Sequence, residues 1–237
     1  MQPNAQGLSS GEDLAVPSIF CLGKNYAKHA AEMKSEIPDY PILFMKPSSA
    51  IAHDGAKVGI PSITKDFHHE TEIYFVIGKD GKNIRTEDSK SFICAVGVGL
   101  DLTLRDIQNE LKDKGNPWLI SKGFDGSAPI SEAVPIGGVN FDSLELQLTV
   151  NGKLRQHGSY KDTIFKIEQI IVFLSRLFTL EQGDLIFTGT PEGVARLYHG
   201  DKLHAELLSA QNSPSIGSRC VLTKLDVDIF NESASGI

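Results

Sequence analysis

The sequence predicts an α+β domain in which strands outnumber helices. Three observations carry that prediction. Leu144, Leu146, Leu148 and Val150 alternate with Glu145, Gln147 and Thr149, and Asn151-Gly152 follows at once. Period-two alternation marks a half-buried strand, and Asn-Gly is a strong hairpin signal because both residues tolerate a positive φ. Phe92 to Leu100 (FICAVGVGL) is apolar on both parities, as expected of a strand covered on both faces. Helical spacing is confined to a few stretches. The longest holds Ile167, Ile170, Ile171, Leu174, Leu177 and Phe178, which would bury one face of a single helix.

In chain order, Ser18 to Leu22 (SIFCL) is a short strand ended by Gly23, and Ala27 to Met33 is a helix. Lys34 to Tyr40 is polar with a Pro and reads as a loop, leaving that helix as a mobile lid. Pro41 to Met45 is the next strand and runs into Lys46-Pro47-Ser48-Ser49. Lys46 is there either a snorkelling surface residue or a ligand for an anion. Ile73 to Ile77 is a strand of β-branched and aromatic residues stopped by Gly78. Lys79-Asp80-Gly81-Lys82 is a turn after which the chain folds back. Beyond Asp101, Thr103 and Asp106 have the spacing of a capping box. The helix they open would run to about Lys114, bury Leu104, Ile107 and Leu111, and stop at Gly115. Glu181 to Asp184 is a turn before the strand Leu185-Ile186-Phe187. Asp201 to Leu208 and Arg219 to Phe230 alternate as strands around a polar loop, Ser209 to Gly217. The expected organisation is an N-terminal arm at 1–17, one domain over 18–230 and a polar tail at 231–237.

Composition limits the function classes. The chain has 237 residues, 41% apolar and 22% charged, which suffices for a core without disulfides or a structural metal. A net charge of −7 and no Lys/Arg cluster argue against nucleic acid and an anionic membrane surface as partners. They do not argue against a small anionic substrate, because a metal and a few local cations outweigh the global sign. Cys21, Cys94 and Cys220 are odd in number and far apart, with no Cys-x-x-Cys. They read as buried thiols in a reducing compartment rather than a disulfide framework or zinc ribbon. No stretch approaches the roughly 20 apolar residues of a membrane span. The first 16 residues carry no Lys or Arg, unlike a signal or transit peptide, so a cytoplasmic location is expected.

Candidate chemistry centres on Phe67-His68-His69-Glu70-Thr71-Glu72, which leads into the strand at Ile73. Side chains alternate along a strand, so Glu70 and Glu72 share a face. Paired carboxylates beside an apolar strand repel each other and are costly to desolvate unless a cation sits between them. The pair is either two hard oxygen ligands for Mg2+ or Mn2+, or a solvated strand edge. Asp101 closes a buried strand and is either part of a helix cap or a site residue at the strand's carboxyl end. Arg105 and Gln108 stand three apart and share a helix face, as do His29 and Glu32. The second pair is a surface pair, or a base oriented by a carboxylate. Lys122 sits in the apolar run Pro117 to Phe124 as a surface lysine or a site cation. Thr188-Gly189-Thr190-Pro191-Glu192-Gly193 can bring amides and hydroxyls to a ligand, or be a plain loop.

The ordered combination GKNYAKHAAEM, PILFMKPSS, HHETEIYFVIG, VGLDLTLRDIQ, SKGFDGSAP and FTGTPEGV resembles the fumarylacetoacetate hydrolase superfamily. It is similar to the short, single-domain branch that includes acylpyruvate hydrolases and oxaloacetate decarboxylases. The match runs from about Ile19 to Leu208. The resemblance implies a mixed β-sheet roll with flanking helices, a homodimer and a Mg2+ or Mn2+ site. By motif it implies Glu70, Glu72 and Asp101 as metal ligands and Lys122 as the active-site lysine. Arg105 and Gln108 match positions that hold the substrate's carboxylate and oxo groups, and Thr190 a substrate-contacting threonine. His29 and Glu32 match a lid-helix dyad in which the His acts as base toward water. Lys24 stands where relatives often carry Arg, and is counted with the substrate-binding residues although the two are not equivalent. The implied reaction is cleavage of a C–C bond in a small 2-oxo acid, by acylpyruvate hydrolysis or oxaloacetate decarboxylation, through a metal-stabilised enolate. The alternatives are a 2-hydroxy-diene-dioate isomerase of aromatic catabolism and a catalytically retired ligand-binding member of the family.

Overall fold

A computed structural model of the chain describes residues 4–5, 14–32, 39–210 and 219–232. Its first half contains β1 (Ile19–Gly23), α1 (Ala27–Glu32), β2 (Ile42–Lys46), β3 (Ile51–His53), β4 (Ala56–Ile60), β5 (Phe67–His69), β6 (Thr71–Ile77), β7 (Ile93–Leu100), β8 (Thr103–Leu104) and α2 (Arg105–Asp113). The second half contains α3 (Leu119–Lys122), β9 (Ala128–Ile130), β10 (Leu144–Val150), β11 (Lys153–Ser159), α4 (Ile167–Leu177), β12 (Leu185–Phe187), β13 (Ala195–Arg196), β14 (Lys202–Ala210) and β15 (Arg219–Asn231).

The largest sheet among the described residues runs β2-β1-β12-β6-β7-β9-β3. It is mixed: β12 pairs parallel with β1 and β9 with β3, while β6 and β7 are antiparallel. A second sheet runs β11-β10-β14-β15-β4, and a small one runs β8-β5-β13. The fold is the α+β class with a mixed β roll and few helices that the sequence predicts.

Parity decides what each face of the central strands touches. Ile73, Phe75 and Ile77 point into the larger core with Val96, Val98, Leu100 and the apolar side of α4. Tyr74 and Val76 point the other way, into a smaller core with Cys21, Ala95 and Phe187. All seven residues of β6 are buried. Each large apolar side chain withdrawn from water contributes roughly 1.5–3 kcal/mol, so this strand contributes to both cores at once. The hairpin between β10 and β11 turns on Asn151 (φ 53°) and Gly152 (φ 73°), both in the left-handed region, as the Asn-Gly signal requires.

Several expectations need correction. Thr103 does not cap a helix with Asp106. Thr103–Leu104 instead pairs with β5, and the helix begins at Arg105 with no side-chain cap. The Asp106 carboxylate accepts from Thr64 Oγ1 at 2.5 Å and from the Lys65 N–H at 2.8 Å, which holds the helix start to another loop. The fully buried residues of α2 are Arg105 and Gln108, while Ile107 and Leu111 are only half-buried. The helix thus turns its polar face inward. In α4, Leu177 and Phe178 are exposed, and Ser175 is buried in their stead. Ser175 Oγ accepts from the Ile84 N–H at 2.9 Å. After Asp80-Gly81 the chain does fold back, since β6 and β7 pair antiparallel, but over the long stretch 78–92 in which Gly81 bridges to Leu180. Cys21 is buried, but Cys94 and Cys220 are half-buried. The loop after α1 and the loop between the last two strands fall mostly outside the described residues. No helix among the described residues is long and apolar enough to cross a membrane.

Candidate metal centre

The antiparallel register of β6 and β7 pairs Thr71 with Leu100. The residue before β6 and the residue after β7 therefore meet, and the Asp101 N–H donates to the Glu70 carbonyl at 2.8 Å. Glu72, two positions from Glu70, projects from the same face. Glu70, Glu72 and Asp101 are all buried, and each offers an oxygen within 4.8 Å of the other two. Residues far apart in sequence thus form one cluster of three carboxylates.

Three buried cations surround it. Lys122 is 2% exposed and donates to Glu70 Oε2 at 2.9 Å, Asp101 Oδ2 at 2.5 Å and Thr103 Oγ1 at 2.7 Å. Burial pulls the Lys122 ammonium down, but Asp101 and Glu70 outweigh it and hold its pKa above that of a free lysine. Arg105 pairs with Glu70 Oε1 and donates to Gln108 Oε1 at 2.6 Å. Lys46 lies 2.8 Å from Asp101 Oδ1. It also donates to the carbonyls of Lys122 and of Ser127, the latter at 3.0 Å.

These cations engage the oxygens of Glu70 and Asp101 but not those of Glu72. Glu72 Oε2 accepts the Gly189 N–H at 2.6 Å. Burial first, then Asp101 and Glu70, push the Glu72 carboxyl well above the usual carboxylate range. A buried carboxyl so disposed takes up either a proton or a further cation. Three hard oxygen donors this close, one of them short of positive charge, fit a divalent cation such as Mg2+ or Mn2+.

A narrow cleft, with a cavity volume of ≈ 40 Å3, opens over the cluster. Its walls include Lys24, Glu70, Glu72, Arg105, Gln108, Lys122 and Thr190, all singled out from the sequence, and Asp101 lies buried against Glu70 beneath it. Thr190 is fixed by donating to the Thr71 carbonyl and accepting from Gln156 Nε2, both at 2.8 Å. Gln156 also accepts the Thr71 N–H at 3.1 Å and contacts His69 Nδ1 at 2.8 Å. Glu32 is exposed on α1, and the Gly193 N–H donates to its carboxylate at 3.3 Å. The backbone of His29 lies in α1, but its side chain falls outside the described residues, so the His29–Glu32 dyad has no geometry here.

Four contributors were not marked as site residues by sequence reasoning. Lys46 was weighed as a surface residue or an anion ligand, and is instead turned inward onto a carboxylate. Lys112 lines the cleft, and its i, i+4 spacing from Gln108 was a usable signal. The Gly189 amide lies in the Gly-Thr loop that the sequence marks as able to offer amides, but it serves Glu72. Gln156 depends on pairings across the sheets, for which the linear sequence carries no mark.

Residues 18–220 match the family described as fumarylacetoacetate (FAA) hydrolase C-terminal. The chain is 42% identical over 189 residues to a mitochondrial oxaloacetate tautomerase of Bos taurus, covering 79% of this chain and 86% of that protein. It is 42% identical over 193 residues to an oxaloacetate tautomerase of Escherichia coli strain K12, covering 81% and 88%. The solved structure of fumarylpyruvate hydrolase from Pseudomonas aeruginosa in complex with Mn2+ and pyruvate superposes with a TM-score of 0.84 at 33% identity, covering 98% of this chain and 99% of that one.

Proposed function

The chain belongs to the fumarylacetoacetate hydrolase family, and on that premise we propose that it interconverts the enol and keto forms of a small 2-oxo acid of the oxaloacetate type, with Mg2+ or Mn2+ bound. The observation that carries this reading is the buried Glu70–Glu72–Asp101 cluster, its oxygens within 4.8 Å of one another, at the floor of a cleft walled by cations. The two oxaloacetate tautomerases at 42% identity support the choice of reaction.

Glu70, Glu72 and Asp101 would hold a divalent cation, which when bound would supply Lewis acidity to a 2-oxo group. The chain's own groups do the rest. Lys122 spends its three N–H bonds on Glu70, Asp101 and Thr103. It therefore serves as a fixed positive charge where negative charge gathers on the substrate, not as a proton carrier. Gln108 gives its carbonyl oxygen to Arg105 and Lys112, which leaves its NH2 to donate to a substrate oxygen. Thr190, clamped by Thr71 and Gln156, sets one wall of the cleft. Proton transfer at carbon falls to His29 of the lid helix. Glu32, through the Gly193 N–H, holds that helix against the loop that carries Thr190.

The test follows the ultraviolet absorbance of enol-oxaloacetate as it converts to the keto form. Protein stripped of metal should give the uncatalysed rate, and Mg2+ or Mn2+ should restore catalysis. Lys122→Met should abolish it and His29→Ala should slow it. Full activity in chelator, unmoved by added metal, would overturn the reading. A second reading is C–C bond hydrolysis of an acylpyruvate, favoured by the likeness to a fumarylpyruvate hydrolase that holds Mn2+ and pyruvate. Cleavage of acetylpyruvate by the same metal-loaded sample, lost in His29→Ala, decides for it.

A further inference from the structure

Helix α2 carries Arg105, Gln108 and Lys112 at spacings of three and four, and their tips form a chain along the cleft wall. Gln108 Oε1 accepts from Arg105 at 2.6 Å on the inner side and from Lys112 at 3.2 Å on the outer side. Arg105 is engaged by Glu70. Lys112 makes no ion pair among the described residues. The Trp118 ring lies 5.1 Å from its ammonium and covers it on one side. The other side faces the cleft that both residues line.

From this arrangement we propose that Lys112 receives the second, distal carboxylate of a dicarboxylic 2-oxo acid, and so selects dianionic over monoanionic substrates. The inference rests on the 2-oxo acid reading above and names the charge class that the site prefers. Burial first, then the neighbouring Arg105, pushes the Lys112 ammonium down to about 8, because no carboxylate close by compensates it fully. An ammonium held among other cations and half-shielded from water is a receptor for an anion. Charge accounting agrees. Lys46, Lys122 and Arg105 equal the three carboxylates of the cluster in number, although their ion pairs are with Glu70 and Asp101 alone. A divalent cation, Lys24 and Lys112 then leave the cleft positive, and a dianion offsets more of that surplus than a monoanion does. The competing account is that Lys112, in the last turn of α2, only answers the negative end of the helix dipole. That account predicts a loss of stability in variants and no change in charge preference.

Lys112→Met keeps the aliphatic stem against Trp118, and Lys112→Arg keeps the charge. Steady-state kinetics of the Mg2+-loaded protein would compare oxaloacetate with acetylpyruvate. Calorimetric titration with 2-oxoglutarate and pyruvate would compare binding without requiring turnover. In Lys112→Met the KM for oxaloacetate should rise relative to that for acetylpyruvate by about tenfold or more, as expected for a lost charge-assisted hydrogen bond, with little change in kcat. The Kd ratio of 2-oxoglutarate to pyruvate should rise likewise, and Lys112→Arg should recover most of both. Equal weakening toward mono- and dianionic acids, or no binding of either dianion to the wild-type protein, would overturn the assignment. If the wild type turns over neither substrate but the titration shows the charge-selective loss, the proposed reaction fails and the role of Lys112 stands.

Discussion

Replacing Lys46 with Met removes a cation that the fold has buried completely. Its side chain is 0% exposed and lies 2.8 Å from Asp101 Oδ1, whose own side chain is 1% exposed. The ammonium also bridges the carbonyls of Lys122 and Ser127, so it ties the start and end of the turn that presents Lys122. Met fills much the same volume, so the change isolates charge and hydrogen bonding from packing. Breaking a buried pair by removing one partner costs about 3–5 kcal/mol, a large part of a typical domain's stability of about 5–15 kcal/mol. The decisive assay is a double-mutant cycle in urea with metal chelated, comparing Lys46→Met, Asp101→Asn and the double variant. If the pair carries the cost, the single effects exceed the double by about 2 kcal/mol or more. The double variant should also be at least as stable as Lys46→Met alone, since Asp101, left there with Lys122 as its one ion pair, is then neutral. Effects that add to within about 0.5 kcal/mol, or a Lys46→Met loss under about 1 kcal/mol, would refute the reasoning.

Glu72→Gln keeps an acceptor for the Gly189 N–H while removing a charge and a hard ligand. Calorimetry should show Mn2+ affinity falling by at least about a hundredfold, beyond the effect usual for outer-shell residues, and unchanged affinity would remove Glu72 from the ligand set. Gly189 has φ +90°, and a Cβ there would come 2.8 Å from Asn25 Cβ. Gly189→Ala should therefore cost about 2 kcal/mol or more in urea unfolding, and a neutral result would show that the loop accommodates the strain. Asp184 is buried, and that burial raises its carboxyl from 3.8 to about 6. The fold thus favours the protonated form, whose stabilising contribution is full below the unfolded value and is lost as pH rises through about 6. Relative to wild type, Asp184→Asn should gain about 1–2 kcal/mol between about pH 4 and about pH 7 once solvent screening is allowed for. A difference between the two proteins that stays flat with pH would count against this.

What the sequence revealed followed from how local each cause is. Glu70 and Glu72 were readable because strand alternation is a short-range property, and it holds although Glu70 sits in the break between β5 and β6. Asp101 and Lys122 were open candidates from their local positions, and motif resemblance gave their roles, since nothing local says that β6 and β7 pair with Thr71 opposite Leu100. The face of α2 was misread because apolar periodicity normally marks the inward side. Here Leu111 is half-buried while Arg105 and Gln108 are buried, a tertiary override by the carboxylate cluster. Lys46 was ambiguous for the same reason: a lysine after a strand usually reaches water, and only the distant Asp101 draws it inward. The reaction also shifted in emphasis. The motifs led toward C–C bond cleavage, and the relatives bring keto–enol interconversion forward.

The inward polar face of α2 has a consequence for how this protein can change. A helix seated by oil-like contacts can be repainted on its working side without coming loose. This one is moored through Arg105 to Glu70, and Gln108, on the same helix, steadies that arginine from within. If the proposed reading holds, the arginine that meets the substrate also anchors the helix, so altering what the cleft accepts from this side will also alter how firmly its wall stands. The freer ground for new specificity lies at the outer end of the helix, where Lys112 touches that mooring only through Gln108.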